Sequence, residues 1–261
     1  MGLLVAAPLS QPGAAAAFSG STTSPTNSLA TGTFDCPTRP VPATSTVLYY
    51  SYMPASGTAE PDVANGTMPG TLGTGATRVS GNCSGNASPY VTVTAAGYVA
   101  ANASEPPRNT NFAISFWFKT SVNTGVLASF GSANTTSPAA AGDRQIYFDS
   151  SGKLSFVMGR PGNPNAGCTI TSAPTTGSWH LATVSFTSGQ NYTLTLDNNA
   201  GSCAGTVNNI STLSQGYWRF GGDTPLDTGA SNNYAGALDE TAVYSGGISS
   251  AGVSSIFAAG H

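Results

Sequence analysis

Residues Asn111–Thr120 read NFAISFWFKT. Phe112, Ile114, Phe116 and Phe118 fall on one side of an extended chain, with Ser115, Trp117 and Lys119 on the other. Side chains alternate across a strand with a period of two, so the stretch predicts a central β-strand with one face in an apolar core.

The same pattern recurs on the C-terminal side. VLASFG (126–131) is a second strand, and RQIYFDSSGKLSFVMG (144–159) is a hairpin turning through Asp149, Ser150, Ser151 and Gly152. SWHLATVSFT (178–187) places Ala182, Val184 and Phe186 inward, and NYTLTLDN (191–198) does so with Tyr192, Leu194 and Leu196. YWRFGG (217–222) and GALDETAVYS (236–245) complete the series. A single helix is predicted, in ISSAGVSSIFAAG (248–260): Ser249 caps it, Val253, Ile256 and Phe257 share a side, and Gly260 stops it. On the N-terminal side, residues 18–46 are rich in Ser, Thr and Pro. Residues 53–90 are dense in Gly, Pro, Asn and Thr and read as turns and long loops. Short strands at regular intervals followed by one terminal helix predict an all-β sandwich, in which each strand packs its apolar face against a second sheet.

At 261 residues the chain is long enough for one such domain plus an N-terminal extension. Charged residues make up 7%, far below the roughly one quarter of an ordinary globular protein, so hydroxyls and amides must carry solubility. A net charge of -3 without a Lys/Arg cluster argues against nucleic acid, which needs a basic surface to neutralise phosphates. No stretch approaches about 18 uninterrupted apolar residues, so no membrane span is predicted.

Cys36, Cys83, Cys168 and Cys203 lack C-x-x-C spacing, and His180 and His261 are the only histidines, which disfavours zinc. Disulfides are the better reading. Four cysteines allow three connectivities; Cys36–Cys83 with Cys168–Cys203 is the expected one, because each pair brackets a local group of strands. Such bonds imply an oxidising compartment. Residues 1–17, MGLLVAAPLSQPGAAAA, combine a short apolar run with a small-residue stretch suited to signal peptidase but lack a basic n-region. They read as a signal-peptide remnant, residues 18–45 as an extension able to supply an added strand, and 46–261 as the sandwich domain.

The strands, in this order, resemble the laminin-G-like or concanavalin A-like jelly-roll family over about residues 46–259. The matching motifs are FAISFWFKT, RQIYFDSSGKLSFV, GSWHLATVSF, LTLDN and YAGALDETAVYSGGISSAGVSSIF; VLYYSY and DVANGTMPGTLGTGATRV resemble the family's first strand and Gly-rich loop. The resemblance implies a jelly roll of two antiparallel sheets with a short C-terminal helix, and it leaves function open, because this sandwich carries lectins, adhesion modules and glycosidases. AAFSGSTTSPTNSLATGTFD (16–35) also resembles the mature N-terminus of camelysin/TasA-type exported fibre proteins, through Phe18-Ser19, Asn27 and Gly32-Thr33-Phe34-Asp35.

The family often holds a structural calcium between an early loop and the last strand. The resemblance places that role on Asp62, Asn65 and Asp239. Retaining glycosidases on related sandwiches need two carboxylates about 5–5.5 Å apart on one strand face. Asp239 and Glu240 are neighbours and point to opposite faces of a strand, so no catalytic residue is assigned. Alternation with Leu238 and Ala242 turns Glu240 to the core side, where Arg219 is a candidate partner. His180 reads as structural. Tyr217, Trp218 and Tyr234 fall near strand ends, where exposed rings could stack on sugars, with Asn232 and Asn233 bonding hydroxyls. The sequence is therefore read as an exported, extracellular or cell-surface domain that binds a glycan, with calcium as a structural ligand and without catalysis. The alternative is an adhesive surface protein that self-assembles when residues 18–36 pair with a neighbour's sheet edge.

Overall fold

The computed structural model describes residues 46–260 except 55, 81–88, 95–96, 109–110, 135–141, 161–162, 188–189, 199–200, 208–212 and 228. The signal-peptide remnant, the extension and the Cys36–Cys83 pair lie outside the described residues.

Sixteen strands and one helix are described. In chain order the strands are β1 (Thr46–Tyr50), β2 (Ala59–Glu60), β3 (Gly70–Leu72), β4 (Ala76–Val79), β5 (Tyr90–Val93), β6 (Tyr98–Ala101), β7 (Phe112–Thr120) and β8 (Gly125–Gly131). They continue with β9 (Gly142–Phe148), β10 (Leu154–Arg160), β11 (Asn163–Thr169), β12 (Trp179–Thr187), β13 (Asn191–Leu196), β14 (Gly201–Thr206), β15 (Tyr217–Gly221) and β16 (Gly236–Tyr244); the helix α1 is Ser250–Ala259. The region 53–90, read from its composition as loops, thus contains β2, β3 and β4 and the start of β5. These strands are too short to show a period against a Gly- and Thr-rich background.

All pairings between strands are antiparallel, and they form two sheets. One has the order β14-β13-β12-β7-β16-β5-β4, with β1 also paired to β16; the other is β11-β10-β9-β8-β15-β6-β3-β2. Phe112, Ile114, Phe116 and Phe118 enter the core between the sheets with Phe148, Phe156, Phe186 and Phe220, as the alternation of NFAISFWFKT predicts. The opposite face of β7 is covered as far as Trp117, and only Lys119 at its end is partly exposed. Ser115 is fully buried, and Trp117 packs with Leu181, Val253 and Ile256 under α1, its ring 5.6 Å from Phe257. Helix α1 begins as expected, with Ser249 Oγ accepting the N–H of Gly252, and its apolar residues cover this outer face.

Both sides of the sandwich are stapled. Cys168 on β11 and Cys203 on β14 form a disulfide between the outermost strands of the two sheets. At the other side Arg78 on β4 donates to the carbonyls of Gly57 (2.9 Å) and Ala59 (2.5 Å) and pairs with buried Glu60 on β2 (2.7 Å). Each staple closes a seam that main-chain pairing leaves open.

Strand β16 has two partners along one flank. Gly236–Leu238 pair with β5, whereas Thr241–Tyr244 pair with β1. Asp239 and Glu240 lie between, at a bulge in the pairing with β7, where Asp239 is opposite Trp117 and Ala242 opposite Ser115. Glu240 has φ 43°, and its N–H is accepted by Asp239 Oδ1 at 2.8 Å. The bulge breaks the alternation that grouped Leu238, Glu240 and Ala242. Leu238 enters the inter-sheet core, while Ala242 joins Tyr49, Ala113 and Tyr244 on the outer face. Arg219, proposed as the partner of Glu240, lies with its guanidinium 4.0 Å from the Tyr98 ring centroid, donates to Gly222 and has Asp223 at 4.0 Å.

Candidate functional site

A groove of about 470 Å³ opens where the start of β1 and the end of β16 meet the loops 62–68 and 103–108. Thr46, Asn65, Thr67, Ser104, Glu105 and Arg108 supply its polar lining. Its floor is a hydrogen-bonded ion pair. Arg108 donates through Nε (3.2 Å) and Nη2 (2.5 Å) to the two carboxylate oxygens of Glu105, and Trp218 Nε1 donates to Glu105 Oε1 at 2.6 Å. Behind the pair, buried Arg144 donates to the Arg108 carbonyl at 2.8 Å, pairs with Asp143 and lies 4.5 Å from the Phe112 ring centroid. Burial pushes the Arg144 pKa down, against the opposing pull of Asp143. Two cations and two carboxylates balance, so the floor presents no net charge to a ligand.

The loop 62–68 is shaped by Asp62. This side chain is 5% exposed, and its carboxylate accepts the N–H groups of Tyr49 (3.0 Å), Ala64 (3.1 Å) and Met68 (3.1 Å). Asn65 Oδ1 accepts the N–H (2.9 Å) and hydroxyl (2.5 Å) of Thr67, and its Nδ2 donates to the Val47 carbonyl. The third residue expected at a calcium, Asp239, is fully buried at the bulge of β16. Asp62 and Asn65 thus use these oxygens to order their own loop, and calcium would have to share or replace those bonds. Among the described residues no group of three or more His, Cys, Asp or Glu side chains is placed to hold a metal.

The aromatic residues expected to stack on sugars are placed differently from the expectation. Trp218 is 1% exposed and packs against Phe130, and Tyr234 is fully buried, donating to the carbonyls of Lys119 (3.1 Å) and Ala237 (2.8 Å). Neither ring can reach a ligand by its face. The physical reason is polar satisfaction: each has a buried partner for its one polar group, so the ring joins the core at no hydrogen-bond cost. Gly125 (φ 93°) allows the close approach, since a Cβ there would stand 2.1 Å from the Tyr234 nitrogen. Tyr217 is half-buried beside Gly131, and Asn232 and Asn233 are exposed in the loop before β16.

His180 is a structural residue of the β12–β13 hairpin. Nδ1 lies 2.9 Å from Asp197 Oδ2, and Nε2 lies 2.9 Å from the Thr175 carbonyl and 3.1 Å from its hydroxyl. Burial opposes the charged imidazole, but Asp197 and the Thr175 carbonyl outweigh it, and the pKa rises above 6.5.

Two antiparallel sheets packed face to face, with the last strand central and a short helix on the outer face, define a lectin-like jelly-roll sandwich. The chain belongs to the Laminin_G_3 family of the concanavalin A-like lectin/glucanases superfamily, whose model matches residues 93–254. Among solved structures it is similar to Trypanosoma rangeli sialidase, at 14% identity and TM-score 0.58 over 82% of this chain and 32% of that one. It is also similar to the binding domain of botulinum neurotoxin serotype D (11%, TM-score 0.57, 83% and 52%) and to that of Paraclostridial Mosquitocidal Protein 1 (13%, TM-score 0.57, 82% and 52%). The chain therefore spans a third to a half of those structures, and the likeness is one of fold. No curated protein sequence matches it.

Proposed function

We propose that the chain is a non-catalytic binding domain that works in an oxidising, extracellular or cell-surface setting and takes an uncharged carbohydrate in the groove between β1, β16 and the loops 62–68 and 103–108. The groove itself carries the reading: hydroxyl, amide and charge-balanced polar groups line about 470 Å³, a size and chemistry suited to one or two sugar rings. Glu105 and Arg108 are held in place by their mutual bonds and by Trp218, so they can accept from and donate to sugar hydroxyls without reorganising. The Cys168–Cys203 disulfide supports the compartment. The binding-domain names of two structural neighbours agree with the class.

The test is binding of the purified chain to a panel of neutral oligosaccharides and polysaccharides, with calcium and with chelator, beside Ser104→Trp. Ser104 is exposed at the groove wall, so a bulky replacement fills the groove without removing a described bond. Saturable binding that Ser104→Trp abolishes in a folded chain is expected. A folded chain that binds no neutral glycan, or a variant that binds as well as the parent, overturns the reading. Loss of binding with chelator would return calcium to the site.

A further inference from the structure

We propose a second binding site, distinct from the groove, formed by Tyr90, Lys119 and Trp179 on the outer face of the sheet that contains β16, with an acidic saccharide as its ligand. Lys119 and Trp179 are directly opposite in the β7–β12 pairing, and Lys119 is opposite Ala237 on β16. Tyr90 starts β5, on the far flank of β16. The centroids of Tyr90 and Trp179 are 5.4 Å apart, edge to face, and Lys119 Nζ lies 5.5 Å from the first and 5.0 Å from the second.

All three side chains remain partly exposed, whereas the other two tryptophans, Trp117 and Trp218, are 4% and 1% exposed. No described carboxylate pairs with Lys119, whereas Arg78, Arg108, Arg144 and Arg219 each have one. The two rings hold the ammonium between them by cation–π contact and leave its N–H donors for a ligand. A pyranose presents a C–H face that packs on aromatic rings, and a carboxylate or sulfate on the same sugar would meet the ammonium. The uncharged groove and this cationic platform thus select different saccharides. They lie at opposite ends of β16, about 25–30 Å apart by strand rise.

Titration of the full chain with oligogalacturonate, sialyllactose and a heparin tetrasaccharide, followed by tryptophan fluorescence and calorimetry, tests the proposal. Methyl-esterified oligogalacturonate is the uncharged control. Saturable binding to at least one acidic probe is expected, weakened about tenfold or more by Lys119→Met and by removal of the probe's charge. The accompanying fluorescence change should vanish in Trp179→Phe. Ser104→Trp should leave this binding intact, so failure of the groove and failure of the platform read separately. Absence of binding to all three acidic probes, or equal affinity of Lys119→Met and the parent, overturns the proposal.

Discussion

Cys168 and Cys203, 35 residues apart in sequence, join β11 at the edge of one sheet to β14 at the edge of the other. Neither strand is held on its outer side by a described main-chain partner, so the bond closes this side of the sandwich covalently. Replacing both cysteines by serine is expected to lower stability by about 3–4 kcal/mol, the loop-closure entropy restored to the unfolded chain. Denaturant unfolding of the variant and the parent checks it, and an unchanged midpoint would contradict it.

Arg78→Ala removes the staple on the opposite side. It leaves the fully buried Glu60 without the cation 2.7 Å away, with an expected loss of about 3–5 kcal/mol at neutral pH. Burial already raises the Glu60 pKa above 4.5, and Arg78 is the strongest influence holding it down. A carboxylate with a raised folded pKa stabilises the fold when protonated, fully below the unfolded value and progressively less as pH rises through the folded one. The deficit of Arg78→Ala should therefore shrink as pH falls toward 4.5, which unfolding curves at several pH values will show.

His180 titrates with the opposite charge and the same linkage sign. Its folded pKa lies above 6.5, so its contribution is complete below pH 6.5 and is lost as pH rises through the folded value. Asp197→Asn should bring the pKa down and flatten that pH dependence. Proton NMR titration of the imidazole, with His180→Gln to separate it from His261, reads the shift directly.

Trp218→Ala is expected to cost about 3–5 kcal/mol, because it removes a buried ring and the donor to Glu105. Trp218→Phe keeps most of the packing and should cost less while disturbing the Glu105–Arg108 pair. If Trp218 were instead an exposed stacking residue, the alanine variant would unfold like the parent and lose only glycan affinity. Thermal unfolding beside binding distinguishes the two.

Most of the sandwich was legible in residues 111–260 because long strands declare themselves by alternation. The NFAISFWFKT face, the Asp149–Gly152 turn and the Ser249 cap all stand where local pattern placed them. The site was much less legible. Trp218 and Tyr234 follow a pattern shared by rings at the surface and rings in the core, and only a buried acceptor for each polar group separates the two cases. The bulge at Asp239 and Glu240 was equally hidden, since it arises where β16 changes partner from β5 to β1.

By itself the sequence determined the class: a charge-poor, strand-rich sandwich with a terminal helix, because period, turn residues and composition are local properties, while the jelly-roll order came from the resemblance of its motifs to a family. Tertiary structure decided everything that depends on distant residues meeting. It brought Thr46, Asn65 and Glu105 around one groove, and it brought the Tyr90 and Trp179 rings together with the Lys119 ammonium over both. These residues are 19 to 89 positions apart in each cluster's successive or outermost members, and strand order, which no local pattern encodes, sets which of them become neighbours.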